Sequence, residues 1–273
     1  MKLLDYSILF TIFSLVLLLP ISIAEQEILT YSRYEMQYHG RMDNAIDDGL
    51  FSMVERDDVQ TVVINREEYV KNFYESFFGN FGIADDEYAK QRMRKHLPFI
   101  GIVEQNRVSF FYQNPVKINE TVEFLDTWTD YIPYEYEEGG YRYHFSVGSG
   151  KDMIVIYLPS KGEWIEGTRW ELAKQDTELL WLTKDEVFEQ IRRNTVISVL
   201  KREMERVVKE NSLLAKQYGL EYEVYLPEVE KQDWCRTLDD IGMIVLFQGY
   251  PIKATVGKTY TRFVYSGART YKR

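Results

Sequence analysis

The run Tyr6–Ala24, YSILFTIFSLVLLLPISIA, constrains this chain more than any other stretch, because 19 consecutive positions carry no charged side chain. At a rise of about 1.5 Å per residue such a helix reaches about 28 Å, close to the hydrocarbon thickness of a bilayer. The segment is therefore expected to take the chain to a membrane. Lys2 and the amino terminus precede it, and Glu25 and Glu27 come after it, which favours an inside N-terminus and an outside remainder. Asp5 works against that bias. Two outcomes stay open. Pro20 and the small residues Ser22 and Ala24 fit a cleaved signal peptide. The stretch beyond Ala24 fits a retained helix instead. There Ile28, Tyr31, Tyr34 or Glu35, Tyr38, Met42, Ala45 and Ile46 fall near one stripe at helical spacing.

The expected fold class is α+β, with an N-terminal membrane helix continuing into a long helix, then helices packed on a mainly antiparallel sheet. Residues 1–24 form the transmembrane helix or signal peptide and 25–60 an extended amphipathic helix. Residues 61–273 form an extracytoplasmic α+β domain, with a break near 160–183 if it divides in two. Asn65 followed by Glu68 predicts a capped helix through about Phe78, ended by Gly79 and Gly82. A short polar helix over 85–96 stops at Pro98. Two apolar runs, Phe99–Val103 and Val108–Tyr112, flank a polar turn and predict a hairpin. Segment Asn119–Gly140, acidic and aromatic, reads as an ordered excursion. A strand pair is expected at Tyr141–Val147 and Met153–Leu158. Thr183 and Glu186 read as a second capping box, opening a helix to about Tyr218 with Val187, Ile191, Val196, Leu200, Met204, Val207 and Leu214 in its stripe, and Gly219 as its cap. Strands at Tyr222–Leu226, Met243–Phe247 and Thr261–Tyr265 complete the reading.

A formal net charge of −10, with no run of Lys and Arg, argues against a nucleic-acid surface. One cysteine, Cys235, excludes an intrachain disulfide, and no neighbouring His or Lys activates it. His39, His96 and His144 lack metal-ligand spacing. Asn44–Glu55 echoes a calcium loop but puts Ile46 where an oxygen ligand belongs, so Asp43, Asp47 and Asp48 read as the wet face of a helix. Ser146, Ser149 and Ser266 lack a nucleophile-elbow setting. Glu135, Glu137 and Glu138 are carboxylates of the kind glycan hydrolysis needs, but adjacent acids are usually solvated charge. No catalytic residue, cofactor or metal site is therefore expected. Interface candidates are Tyr31, Tyr34 and Tyr38 on the N-terminal helix and Tyr131, Tyr134 and Tyr136 in the aromatic segment, since rigid amphipathic rings suit subunit contacts. They suit a sheet surface equally well.

Three stretches carry a resemblance: YHGRMDNAIDDGLFSMVE (38–55), HLPFIGIVEQNRVSFFYQ (96–113) and LAKQYGLEYEVYLPEVEKQDWCRTLDDIGMIVLFQGYPI (214–252). Together they resemble uncharacterised envelope proteins of low-cysteine Gram-positive bacteria from Tad-type pilus loci, which are pseudopilin-like. The resemblance implies a membrane-embedded N-terminal helix followed by an exported domain. The apolar run starts almost at Met1, where a pseudopilin usually has a short basic leader. Asp5 is the acid nearest the place where a pseudopilin has a Glu, close to its mature N-terminus. The expectation is a non-enzymatic, membrane-anchored structural or assembly subunit of an extracellular pilus or secretion machine. Its partners would be the lipid bilayer, other envelope or pilus proteins and, as an alternative, further copies of itself, with no nucleic acid. An extracytoplasmic ligand-binding module of a sensor or transport system is the competing expectation, and an envelope hydrolase a third.

Overall fold

A computed structural model describes residues 3–51, 65–217, 226, 234, 241–252 and 258–268. The N-terminal apolar run and its amphipathic continuation form one unbroken helix, α1, Leu3–Phe51, with Pro20 inside it. Its two parts differ sharply. Phe10, Phe13, Leu17, Leu18 and their neighbours are exposed, and so are Ile28 and Leu29. From Tyr31 onward one side is covered, and Tyr38, Met42, Ala45, Ile46 and Leu50 are buried. The packed stripe thus starts at Tyr31, one turn later than the pattern implied. Residues 52–60 of the expected amphipathic stretch lie outside the described residues.

Helix α2, Arg66–Asn80, opens where expected. Asn65 accepts a hydrogen bond from the Glu68 amide at 3.4 Å, with Glu67 and Glu68 favourably placed at the positive helix end. Its buried rings, Phe73, Tyr74, Phe77 and Phe78, pack against α1 and the sheet. Helix α3, Glu87–Arg94, is capped by Asp86.

Among the described residues the sheet has nine strands, all paired antiparallel. They are β1 (Phe99–Val103), β2 (Arg107–Ile118), β3 (Thr121–Trp128), β4 (Ile132–Glu138), β5 (Tyr141–Phe145), β6 (Met153–Leu158), β7 (Glu163–Thr168), β8 (Ile241–Pro251) and β9 (Thr259–Ala268). The order is β7-β6-β5-β4-β2-β1-β8-β9, with β3 also on β2. The ordered excursion expected at 119–140 consists of β3 and β4. Asn119 and Glu120 both take positive φ, +48° and +68°, and so make the tight turn of a two-residue hairpin. Strand β7 has no counterpart in the sequence reading.

After β7 comes a short helix, α4 (Arg169–Leu172), whose start is a true capping box between Thr168 and Glu171. Thr183 is not a cap. It ends a 3-10 turn over Thr177–Thr183, where its hydroxyl donates to the Leu180 carbonyl. Helix α5 then runs Asp185–Gln217. Its inward face uses Phe188 rather than Val187, which is 39% exposed, and continues through Val196, Leu200, Met204 and Val207. The strand expected at 222–226 falls, except for Leu226, outside the described residues, as do Gly219 and Cys235.

The central strands divide two cores. Phe99, Val103, Val108, Phe110, Ile244 and Leu246 face α5. Ile100, Ile102, Phe111, Met243, Val245 and Phe247 face α1 and α2. Gly101 allows this crowding, because a Cβ there would come within 2.8 Å of the Phe110 ring. The strands β4–β7 share the α5 core through Tyr134, Tyr143, Phe145, Ile154 and Ile156. Their other face is covered by neither α1 nor α2, whose core is built on β1, β2, β8 and β9.

Candidate functional site

The face of β4–β7 turned away from the α5 core is ordered by strand register. Glu135 stands opposite His144, His144 opposite Val155, and Val155 opposite Glu166. The adjacent row runs Glu137, Arg142, Tyr157 and Trp164. Side chains alternate across a strand, so both rows lie on the side away from Tyr134, Tyr143 and Ile156. His144 Nε2 lies 3.1 Å from Glu135 Oε2; a carboxylate only accepts, so this ring nitrogen carries the hydrogen. The imidazole sits 4.6 Å from the Trp164 ring, and the Arg142 guanidinium lies over both Tyr157 and Trp164.

Where this face meets the β1–β2 turn the surface folds into a cleft of about 590 Å³. Glu104, Arg107, Pro133, His144, Val155 and Glu166 are among its walls. The turn is fixed by three contacts. The Tyr134 hydroxyl shares its single hydrogen between the Glu104 carbonyl at 3.0 Å and the Arg107 carbonyl at 2.7 Å. The Val147 amide donates to the Gln105 carbonyl at 2.6 Å. Gly150 leaves room for the Gln105 side chain, which any Cβ at that position would strike. Glu104 is thereby held with its side chain only 7% exposed, one oxygen accepting from Arg107 Nε at 2.7 Å. Arg107 in turn lies 3.6 Å from the Tyr131 ring centre.

The six interface candidates take different places. Tyr134 is fully buried, and burial drives its hydroxyl well above the ordinary tyrosine range. It is the residue that positions the cleft turn. Tyr38 is buried at the centre of an aromatic cluster with Phe81, Tyr250 and Tyr260, and desolvation raises its pKa. Tyr34 and Tyr31 flank it half-buried, Tyr31 beneath the Lys258 ammonium. Tyr136 packs half-buried against the α5 core. Of the six, Tyr131 alone is substantially exposed, at 41%, with Arg66 and Arg107 over its ring.

The acids of α1 are not simply wet. Asp43 pairs with Arg262 at 2.7 Å, Asp47 accepts from Ser266 at 3.0 Å, and Asp48 accepts from Ser76 at 2.5 Å. Asn44–Phe51 is helix, so the calcium-loop geometry is not formed there. His96 Nδ1 donates to the Gln248 carbonyl at 3.2 Å, and burial lowers its pKa. His39 lies 5.5 Å from the Tyr260 ring, its pKa lowered by burial and then by Arg262. Among the described residues no three His, Cys, Asp or Glu side chains converge as metal ligands.

Taken one at a time along the chain, Glu135, His144 and Ser146 give no sign of a site. The structure brings His144 and Ser146 into the cleft lining with Glu104 and Glu166, and sets Glu135 beside it through His144. Comparison with known proteins found no matching family model, no matching curated protein and no matching solved structure.

Proposed function

We propose that this protein is a membrane-anchored structural or assembly subunit of an extracellular machine of the pilus or secretion type. One observation carries the reading: α1 continues without a break from an exposed, membrane-length apolar segment into the domain core. A signal sequence needs no such continuity, because it is removed. An anchor that must hold a domain at a set height and orientation does. Exposed side chains such as Leu18 would be covered by lipid. Beyond the bilayer Leu29 and Met36 remain 69% and 71% exposed, on the side of the helix opposite Tyr38. They offer apolar surface to a neighbouring subunit.

The test is cross-linking in intact cells with Cys235→Ser, Leu29→Cys and Met36→Cys combined, together with mass spectrometry of the mature N-terminus. The expected result is a retained apolar segment and cross-linked species heavier than the monomer. A mature chain beginning at Glu25, or monomer alone, overturns the reading. One observation favours a second reading, an extracytoplasmic ligand-binding module of a sensor or transport system: the cleft beside the β1–β2 turn.

A further inference from the structure

The geometry points to an alkylammonium group, a primary amine on an aliphatic stem, as the ligand of the cleft beside the β1–β2 turn. This rests on the second reading above and is independent of the anchor.

Three features carry it. The first is Glu104. Its side chain is more than nine-tenths buried, it lines the cleft, and only one of its two carboxylate oxygens is satisfied, by Arg107. The other, Oε1, is buried with no hydrogen-bond partner among the described residues. A buried carboxylate oxygen without a donor is costly, and what it lacks is an N–H or O–H. The second is charge. Glu104 and Glu166 line the cleft and Glu135 adjoins it through His144, against the guanidinium of Arg107. That guanidinium already donates through Nε to Glu104 and is stacked on Tyr131. An anion would meet this balance unfavourably, and a cation restores it. The third is the remaining wall. Pro133, Met153 and Val155 add an apolar surface beside the carboxylates. An ammonium offers three donors and no acceptor, and its methylene stem is the part that such a wall would cover. The turn that carries Glu104 is held by Tyr134, Val147 and Gly150, so the backbone of the site is fixed before a ligand arrives, and the Glu104 side chain need only turn Oε1 to the ammonium.

The ammonium has two sources, a lysine side chain of another protein or a free aliphatic polyamine. Isothermal titration of the full chain in neutral detergent tests both, with Nα-acetyl-lysine methylamide as one probe and spermidine as the other. 1,5-Pentanediol serves as the neutral control and N-acetylglucosamine as an unrelated polar one. Saturable binding of either ammonium probe is expected, weakened about tenfold by Glu104→Gln and by Glu166→Gln. Asp126→Asn, remote from the cleft, should leave it unchanged. Glu166 is exposed, so its variant separates lost binding from lost folding. Preference for the lysine derivative assigns the cleft to a protein partner, and preference for spermidine assigns it to a free polyamine. Ammonium binding that ignores both Glu variants overturns the proposal. So does binding of the diol or the sugar alone, although the cleft then remains a ligand site. Binding of none of the four overturns the ligand-binding reading as well.

Discussion

Strand β1 throughout and β8 over Ile241–Phe247 are buried on both faces, whereas β6, two strands beyond β4, alternates buried and half-exposed residues from Met153 to Leu158. The difference follows from what covers each region. The centre of the sheet lies between α5 on one side and α1 with α2 on the other, so both faces must be apolar. Among the described residues the β4–β7 region is covered only by the α5 core, and its second face carries Glu135, His144, Glu166 and Trp164. Stability is concentrated in the doubly covered strands, and chemistry is displayed on the singly covered ones.

The largest effect should come from breaking the centre. Phe247 is fully buried among Phe77, Phe81 and Tyr260, so Phe247→Ala is expected to cost about 3–5 kcal/mol in equilibrium urea denaturation. Val155→Ala on the free face should cost less than about 1.5 kcal/mol, because little surface there is removed from water. Equal costs at the two positions would contradict the division.

The same contrast explains what is legible in the sequence. The hairpin at 99–112 is legible because two continuous apolar runs flank a polar turn, and doubly buried strands need such runs. Helix α2 is legible from Asn65. Strand β7, EWIEGT, is not, since an edge strand with one half-buried apolar position has no run to show. Strand β3 hides for the same reason, its residues being all exposed or half-exposed. Thr183 looks like a cap because its spacing to Glu186 is right, but its hydroxyl is consumed by the preceding 3-10 turn. The genuine box, Thr168 with Glu171, comes directly after a strand and has no apolar helical stripe to mark it. The cleft is illegible for a deeper reason. Glu135, His144 and Glu166 sit on separate strands that register brings together, and Glu104 joins them from the β1–β2 turn.

A mid-sized effect should appear in acid, at the seam between the β5–β6 loop and α5. Burial opposes ionisation of Glu189, but Arg192 and then Lys151 overcome it and hold the carboxyl down to about 2, from an ordinary 4.5. A depressed carboxylate pKa stabilises the fold above its unfolded value and loses that contribution as pH falls. Stability should therefore decline between about pH 4.5 and pH 2. Glu189→Gln should be less stable at neutral pH and show a shallower decline across that window in acid titrations followed by circular dichroism. The fully buried Arg192, which also donates to the Ser146 carbonyl, ties this seam to the cleft strand.

The smallest effect belongs to the β2–β3 hairpin tip. Glu120 carries a positive φ that an L side chain adopts only at a cost. Glu120→Gly should raise stability by about 0.5 kcal/mol, seen as a small rise in Tm. A loss instead would mean that the Glu120 side chain makes contacts worth more than the strain.

The aspartates of α1 give that helix a mechanical property. Asp43 and Asp47 reach to β9 on one flank and Asp48 to α2 on the other. Held from two sides, the helix can neither roll about its axis nor slip along it without breaking these contacts together. The portion before Tyr31, residues 3–30, is a lever about 40 Å long with its fulcrum at Tyr31. Torque or tension applied at the apolar end is delivered to the sheet rather than dissipated in a joint.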